Sequence, residues 1–424
     1  MSVATALETS PQSSVRTVRI GLLGFGQVGQ AVARLAADRS AVAHAGLRFR
    51  VEHALVRDVG KPRNAPRTRL TANAAAFLRG NYDVVIDALD AAEPARALVS
   101  RLLGRGTAVV TANKMLLAEH GAGLEAIAAA RGTAFRFEAT ALAAVPFIGT
   151  LASRPLVASV HRVRAIVNGT SNYVLTSLAE SRVPFDEALV RAQRLGFAEP
   201  DPSRDVDGID AADKLLLLTS LFGWGRLARQ TLEVRGIRRI TADDLAAARS
   251  IGATVKAIAA AERDHTGVRA FVGPVCLQST EPLASLGGAL NGIQLDGTHV
   301  SNLFFSGPGA GPDVTAATLL DDAVQAATHS CALRRSPSNT LPVFVSAPLT
   351  PWFVRVTVPG VLPAAGALAA LVQSCGLHVD RVADFSTCDS RWLCVGLHHR
   401  RDVDVALTRL AATHRIQTSA LRRL

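Results

Sequence analysis

The sequence predicts an α/β protein: a doubly wound parallel sheet, then an α+β domain and a small βαββαβ domain. Three observations carry this. An apolar stretch, Val15 to Leu23, runs directly into Gly24, Gly26 and Gly29, after which Val28, Ala31, Val32 and Leu35 recur at helical spacing. Short apolar runs then alternate with helical stretches, the order that gives a parallel sheet covered on both faces. Far downstream, Ser336 to Pro351 carries four prolines among Ser, Asn and Thr and reads as a linker before a fresh set of elements.

Taken in order, residues 1–16 are rich in Ser, Thr and Ala, lack an apolar stretch and read as a disordered tail. Residues 17–145 read as a nucleotide-binding domain of Rossmann type. In its GxGxxG turn the first glycine permits the bend, the second admits a pyrophosphate, and the third lets helix and strand pack closely. Free amides at the helix N-terminus then meet the phosphate charge, and Gly24, Phe25, Gly26, Gln27, Val28 and Gly29 are the expected cofactor-binding residues. Val51 to Val56 reads as the second strand. Just after it, Arg57 with Lys61 suits a 2′-phosphate and Asp58 suits a ribose hydroxyl, so NADP and NAD both fit. Asp83 to Leu89 and Thr107 to Thr111 supply later strands, with a helix over Pro94 to Leu103 between them.

The segment Gly196 to Lys214, GFAEPDPSRDVDGIDAADK, crowds carboxylates around one of only four lysines in the chain. Arginine supplies nearly all of the 46 basic side chains, and arginine stays charged where lysine can exchange a proton. Glu199, Asp210 and Lys214 therefore suit a small zwitterion and a proton transfer to it. Asp210 and Lys214, four apart, share one face of a helix. The plainer alternative is an acidic loop and a solvated helix start.

Composition excludes other classes. The formal charge is +11, yet the arginines are scattered singly or in pairs such as Arg334 and Arg335, without a basic stripe, so no nucleic-acid partner is expected. Five cysteines show no metal spacing and no even-numbered framework, which suits a reducing, cytoplasmic compartment. No apolar run reaches the ~20 residues of a membrane-spanning helix, so no membrane partner is expected.

From TANK at 111–114 onward the chain resembles homoserine dehydrogenase. FEAT at 137–140 with Pro146, VNGTSNY at 167–173, the acidic segment and SGPGAG at 306–311 fall in the same order, and together they cover Val18 to Ala327. The resemblance implies a dehydrogenase that interconverts L-aspartate 4-semialdehyde and L-homoserine with NADP or NAD. By it Lys214 donates the proton, Lys114 lies near cofactor and substrate, and Asp205 either orients Lys214 or orders water. Glu199 and Asp210 match the positions that hold the substrate's amino acid end, and Asn168, Gly169 and Thr170 border its cleft. Read without the resemblance, NGTSN is a tight turn with Asn and Gly left-handed. Gly307, Gly309 and Gly311 read as a flexible loop followed by a helical run from Val314 to Ala326, and the resemblance implies that this loop lies beside the cofactor.

The resemblance also implies a monovalent cation, Na+ or K+, on Glu138 and the carbonyls of Ala141, Ala143 and Val145. The chain departs from the family there, reading ATALAAVP where paired glycines usually precede the proline, and alanine resists a positive φ. A buried structural Glu138 is the alternative. Leu89, expected at the cofactor, and Asp90 also depart from the usual small residue and glycine, and Asp90 near a phosphate repels it.

Residues 146–311 read as a catalytic and dimerisation domain, 312–335 as packing back onto the nucleotide domain, 336–351 as the linker and 352–424 as a domain of its own. In this last segment Phe353 to Val358, Leu377 to Phe385, Arg391 to Leu397 and Ile416 to Leu421 read as strands. Val361 to Ser374 and Val403 to His414 read as helices. This order resembles an ACT domain, a module that pairs with its own copy and binds an amino acid, which implies a threonine effector and a homodimer or homotetramer. The competing readings are a dehydrogenase of another amino acid semialdehyde and a non-catalytic sensor of amino acid and nucleotide.

Overall fold

The computed structural model describes residues 15–38, 46–64, 68–154, 159–225, 227–328, 349–414 and 416–424. The tail at 1–16 and the linker at 336–351 lie outside the described residues except at 15–16 and 349–351. Strand β1 (Arg16–Leu23) is followed by α1 (Gln27–Ala37), β2 (Leu47–Leu55), β3 (Arg69–Thr71), α2 (Ala74–Leu78), β4 (Val84–Asp87), α3 (Ala92–Gly104), β5 (Ala108–Thr111), α4 (Lys114–Ala130) and β6 (Phe135–Arg136). Next come α5 (Ile148–Ala152), β7 (Val160–Ile166), α6 (Gly169–Ser181), α7 (Phe185–Arg194), α8 (Ser203–Val206), α9 (Ile209–Leu221), β8 (Glu233–Val234), α10 (Ala242–Ser250), β9 (Ala253–Asp264), β10 (Gly267–Gln278), β11 (Leu290–Gly297) and β12 (Leu303–Pro308). The last are α11 (Pro312–Thr328), β13 (Thr350–Thr357), α12 (Ala365–Ser374), β14 (Val379–Ser386), β15 (Ser390–His398), α13 (Arg400–His414) and β16 (Gln417–Arg423). None of the described helices is long and apolar enough to cross a membrane.

Contacts group the chain into two units, Met1–Thr140 with Pro312–Leu333, and Ala141–Gly311 with Arg334–Leu424. In the first, six strands pair in parallel in the order β3-β2-β1-β4-β5-β6, the doubly wound sheet that the sequence predicts. Central strands are buried on both faces, so Ile20, Leu22, Val84, Ile86 and Val110 enter one core with Ala31 and Val32 of α1 and Leu319 and Ala323 of α11. The second strand begins at Leu47, four residues before the expected Val51. Leu47 and Phe49 are buried and Arg48 and Arg50 exposed, a two-residue period hidden by the arginines.

The second unit is a mixed ten-stranded sheet in the order β12-β11-β7-β9-β10-β16-β13-β15-β14, with β8 also pairing β10. β9 and β10 form a long antiparallel hairpin whose turn is fixed by Asp264, which accepts from the amides of Thr266 at 2.7 Å and Gly267 at 3.1 Å. The C-terminal elements follow the order βαββαβ, and their strands lie antiparallel as β16-β13-β15-β14 over a core of Trp352, Leu368, Val395 and Leu407. β16 pairs in parallel with β10 at Val275 and Cys276, so residues 352–424, read from the sequence as a domain of their own, continue this sheet. Their first helix starts at Ala365 rather than at Val361, whose side chain is 92% exposed and precedes Pro363. Gly307, expected in a flexible loop, is instead the fifth residue of β12 and pairs with Asn291.

Candidate active site

In the first unit, β1 ends at Leu23 and the chain turns at Gly24, whose φ of 90° is left-handed. Its amide donates to Leu55 O at 3.0 Å, and a Cβ here would lie 2.9 Å from Ala88 O. Gly26 caps α1, and a Cβ built on it meets nothing within 4 Å, so the backbone faces open space at a helix start. A Cβ on Gly29 would lie 2.6 Å from Gly24 O, so the helix approaches the turn only because it is absent. Orphan amides, a positive helix end and open space fit the pyrophosphate of a nicotinamide dinucleotide. The Phe25 side chain is 2% exposed and belongs to the core, so only its backbone faces the turn. Val28 packs against that core, and Gln27 is exposed.

Arg57 is exposed beyond the end of β2. Asp58 Oδ1 accepts from Gly60 N at 2.8 Å, and Arg63 reaches the carbonyls of Asp58 at 2.7 Å and Lys61 at 3.0 Å. At the end of β4, the fully buried Asp87 accepts from Leu89 N at 3.1 Å and from the Thr111 hydroxyl at 2.9 Å. Burial nevertheless pushes its carboxyl up to about 7. Asn113 caps α4 by accepting from Leu116 N at 3.0 Å and donates to Ala91 O at 2.7 Å, so Lys114 is the first residue of that helix. Asp90 is exposed.

In the second unit the acidic segment gathers around the start of α6. Lys214 and Asp210 lie one turn apart on α9, 2.9 Å from each other and only 12% and 16% exposed, as the spacing predicts. Lys214 Nζ also donates to Val167 O at 2.6 Å. Asn168 Nδ2 donates to Asp205 at 2.7 Å and to Asp210 at 3.0 Å, so Asp205 joins Lys214 through Asn168 and Asp210. The Thr170 hydroxyl donates to Phe197 O, and the rings of Tyr173 and Phe197 lie 5.0 Å apart. Gln193 of α7 donates to Glu199 O at 3.1 Å, which fixes the backbone on which the exposed Glu199 sits.

The turn reading of NGTSN is corrected here. Asn168 is extended, with φ −127° and ψ 109°, and its Oδ1 caps α6 by accepting from Ser171 N at 2.8 Å. Gly169 is the first helical residue, and glycine is needed for close approach, since a Cβ would lie 2.8 Å from Ala289 O.

Asn291, Asn172 and Lys256, which sequence reasoning does not single out for the site, support it. Asn291 of β11, fully buried, donates to Val167 O at 3.2 Å, the carbonyl that also holds Lys214. Gly309 packs on that same carboxamide, where a Cβ would lie 2.3 Å away. Asn172 donates to Leu286 O at 3.2 Å and Leu290 O at 3.0 Å. Lys256 donates to Leu286 O as well, with Asn172 Oδ1 at 3.5 Å, and burial brings its ammonium down to about 8. The retention of lysine at 256 against the arginine bias is the one sequence signal that marks it.

Of the proposed cation ligands, Glu138 lies in the first unit, and Ala141, Ala143 and Val145 in the second. Glu138 is buried and its amide donates to Asp322 at 2.9 Å. Burial first, and then the neighbouring Glu138, pushes Asp322 up to about 7. Ala143 takes the left-handed conformation, with φ 48°, despite its side chain. Gly307 lies beside Val145, and Gly311, with φ 136°, precedes α11.

A glycine turn that fits a dinucleotide, on a doubly wound parallel sheet, and a largely buried lysine–carboxylate pair mark the class as a nicotinamide-dependent dehydrogenase. Two family models match, "Homoserine dehydrogenase" over residues 146–324 and "Homoserine dehydrogenase, NAD binding domain" over 24–138. A homoserine dehydrogenase of Synechocystis is 34% identical over 315 residues, 73% of each chain. The crystal structure of one from Thiobacillus denitrificans, 26% identical, superposes with a TM-score of 0.80 over 96% of this chain and 98% of that one. A hyperthermophilic archaeal homoserine dehydrogenase in complex with NADPH, 27% identical, gives 0.61 over 75% and 100%. The chain belongs to the homoserine dehydrogenase family, NAD(P)-dependent oxidoreductases that interconvert L-aspartate 4-semialdehyde and L-homoserine.

Proposed function

We propose that in this reaction Lys214 gives the proton to the developing alkoxide and takes it back in the reverse direction. The observation that carries the reading is the placement of Lys214 Nζ, 2.9 Å from Asp210 and 2.6 Å from Val167 O at the start of α6. An ammonium oriented by a carboxylate and a carbonyl is a proton donor of fixed direction for a substrate oxygen. Glu199 and Asp210 bind the substrate ammonium, while Asn168, Gly169 and Thr170 set the wall. Asp205 acts by positioning Asn168. The dinucleotide, when bound, supplies or accepts the hydride. Lys114, at the start of its own helix, is the second lysine assigned to the chemistry.

The cofactor preference proposed is NADP. Asp58 already accepts from Gly60 N, which leaves the exposed Arg57 to meet a 2′-phosphate. The NADPH complex of the archaeal relative agrees with this choice. Threonine binding by the C-terminal βαββαβ elements and assembly as a homodimer or homotetramer in the cytoplasm complete the proposal.

The deciding experiment is Lys214→Ala assayed for homoserine oxidation at 340 nm. Turnover should fall by orders of magnitude while NADP affinity, measured by calorimetry, stays within about twofold. Equal losses in both would remove Lys214 from the proton-transfer role.

A further inference from the structure

Away from Lys214, the second unit contains a cavity of about 1080 Å³. Its walls come from β8 and β10 on one side and from β13, α13 and β16 on the other. Six arginines line it: Arg235, Arg238, Arg239, Arg355, Arg400 and Arg422. Only three carboxylates answer them, those of Asp207, Glu233 and Asp404. Arg355 is paired with Asp244, outside the lining, at 2.9 Å. The other five face three carboxylates: Arg238 pairs with Asp207 at 2.6 Å, Arg422 with Glu233 at 2.5 Å and Arg400 with Asp404, while Arg235 lies between Glu233 at 3.2 Å and Asp404 at 3.4 Å. Two positive charges are in surplus, and the cavity meets them at Arg235, which shares both of its carboxylates with other arginines, and at the exposed Arg239.

Two of these guanidinium groups are held by stacking. Arg422 is 3% exposed and lies over the rings of Phe271 at 4.6 Å and Trp352 at 4.9 Å, and Arg400 lies over Trp352 at 5.0 Å. Burial, and after it the charge of Arg400, lowers the pKa of Arg235, and both act in the same direction on Arg422. Burial is the main cause, and the neighbouring cation adds to it while Glu233 and Asp404 oppose it. Planar guanidinium groups fixed by stacking suit carboxylate or phosphate oxygens at little entropic cost.

One wall of the cavity backs onto the end of α8 and the cap of α9, the helix that carries Lys214. Ile237 N donates to Val206 O at 2.8 Å, and a Cβ on Gly236 would lie 2.5 Å from the same carbonyl. Gly208, left-handed at φ 79°, caps α9 and abuts Arg235 O. The backbone of Arg235 to Ile237 is thus packed directly on the segment that starts α9.

We infer that this cavity is a regulatory site for a small dianion, a dicarboxylate or a phosphate monoester, held by the surplus charge of Arg235 and Arg239. The site is separate from the Lys214 chemistry, so its occupancy can be measured whether or not the proton-transfer assignment stands.

The test is calorimetric titration of the full chain at pH 7.5 with inorganic phosphate and, separately, with succinate. Sodium chloride at matched ionic strength is the reference. Saturable binding of either dianion is expected, at least tenfold weaker in the Arg235→Gln/Arg239→Gln double variant and at least threefold tighter in Asp404→Asn, which adds to the surplus. Preference between phosphate and succinate identifies the source of the dianion. Heats no greater than those of chloride, or saturable binding indifferent to both variants, would overturn the site. Binding that leaves homoserine turnover unchanged would overturn its regulatory role.

Discussion

Asn168 and Asp210 are joined by a 3.0 Å hydrogen bond, and the same carboxamide nitrogen reaches Asp205 at 2.7 Å. Its oxygen meanwhile caps α6. The amide thus uses both ends: two protons separate two carboxylates of the acidic segment, and the oxygen fixes the helix start. Asp210 is left aligned on Lys214 at 2.9 Å. A side chain with acceptors alone cannot hold this arrangement.

Asn168→Asp separates these duties. Aspartate caps a helix as well as asparagine does, so α6 should survive. A third carboxylate between Asp205 and Asp210 repels both, and displacement of Asp210 by about 1 Å can lower turnover on the order of 100-fold. Asn168→Ala should add a stability loss of about 1 kcal/mol from the missing cap. Steady-state kinetics beside urea unfolding distinguish the two, and an Asn168→Asp enzyme of normal turnover would detach Asn168 from the site.

Gly169→Ala tests close approach against helix propensity. Alanine within a helix normally gains up to about 1 kcal/mol over glycine. Here its Cβ would sit 2.8 Å from the Ala289 carbonyl, so the variant should instead lose about 1–3 kcal/mol. The sign of the shift in urea midpoint settles which effect rules.

What the sequence discloses follows the range of each interaction. GxGxxG and the Asp210–Lys214 spacing encode geometry within one turn of chain, and both are found as read. NGTSN misleads because Asn and Gly favour left-handed turns in isolation, whereas Ala289, far along the chain, makes glycine necessary for space. SGPGAG likewise reads as a loop, yet Gly307 pairs with Asn291 as strand. Asn291 is 124 residues from Val167 and Lys256 is 84 from Asn172, so no local pattern could announce that these side chains brace the site. The parallel pairing of β16 with β10 is hidden for the same reason.

The pH dependence of stability should carry the signature of Asp87. Its folded-state pKa of about 7 lies above the ordinary aspartate value of roughly 3.9, so the native chain holds a proton that the unfolded chain has lost. The stabilisation is complete below about pH 4 and is lost as pH rises through 7. Asp87→Asn keeps the shape and removes the titration. Urea midpoints measured from pH 5 to 8 should fall more steeply in the wild type than in the variant, with Asp322 leaving a residual slope. Identical slopes would show that Asp87 does not titrate there.

Ala143 offers a substitution that should stabilise. Its φ of 48° is left-handed, where a Cβ crowds the following carbonyl at a cost of about 1–2 kcal/mol. Glycine removes that clash but gives the unfolded chain more freedom, worth roughly 0.5–1 kcal/mol in the other direction. The strain is the larger effect, so Ala143→Gly should raise stability by about 0.5–1 kcal/mol in urea unfolding. A loss of stability would mean that the methyl group, 8% exposed, contributes more by packing than its backbone costs in strain.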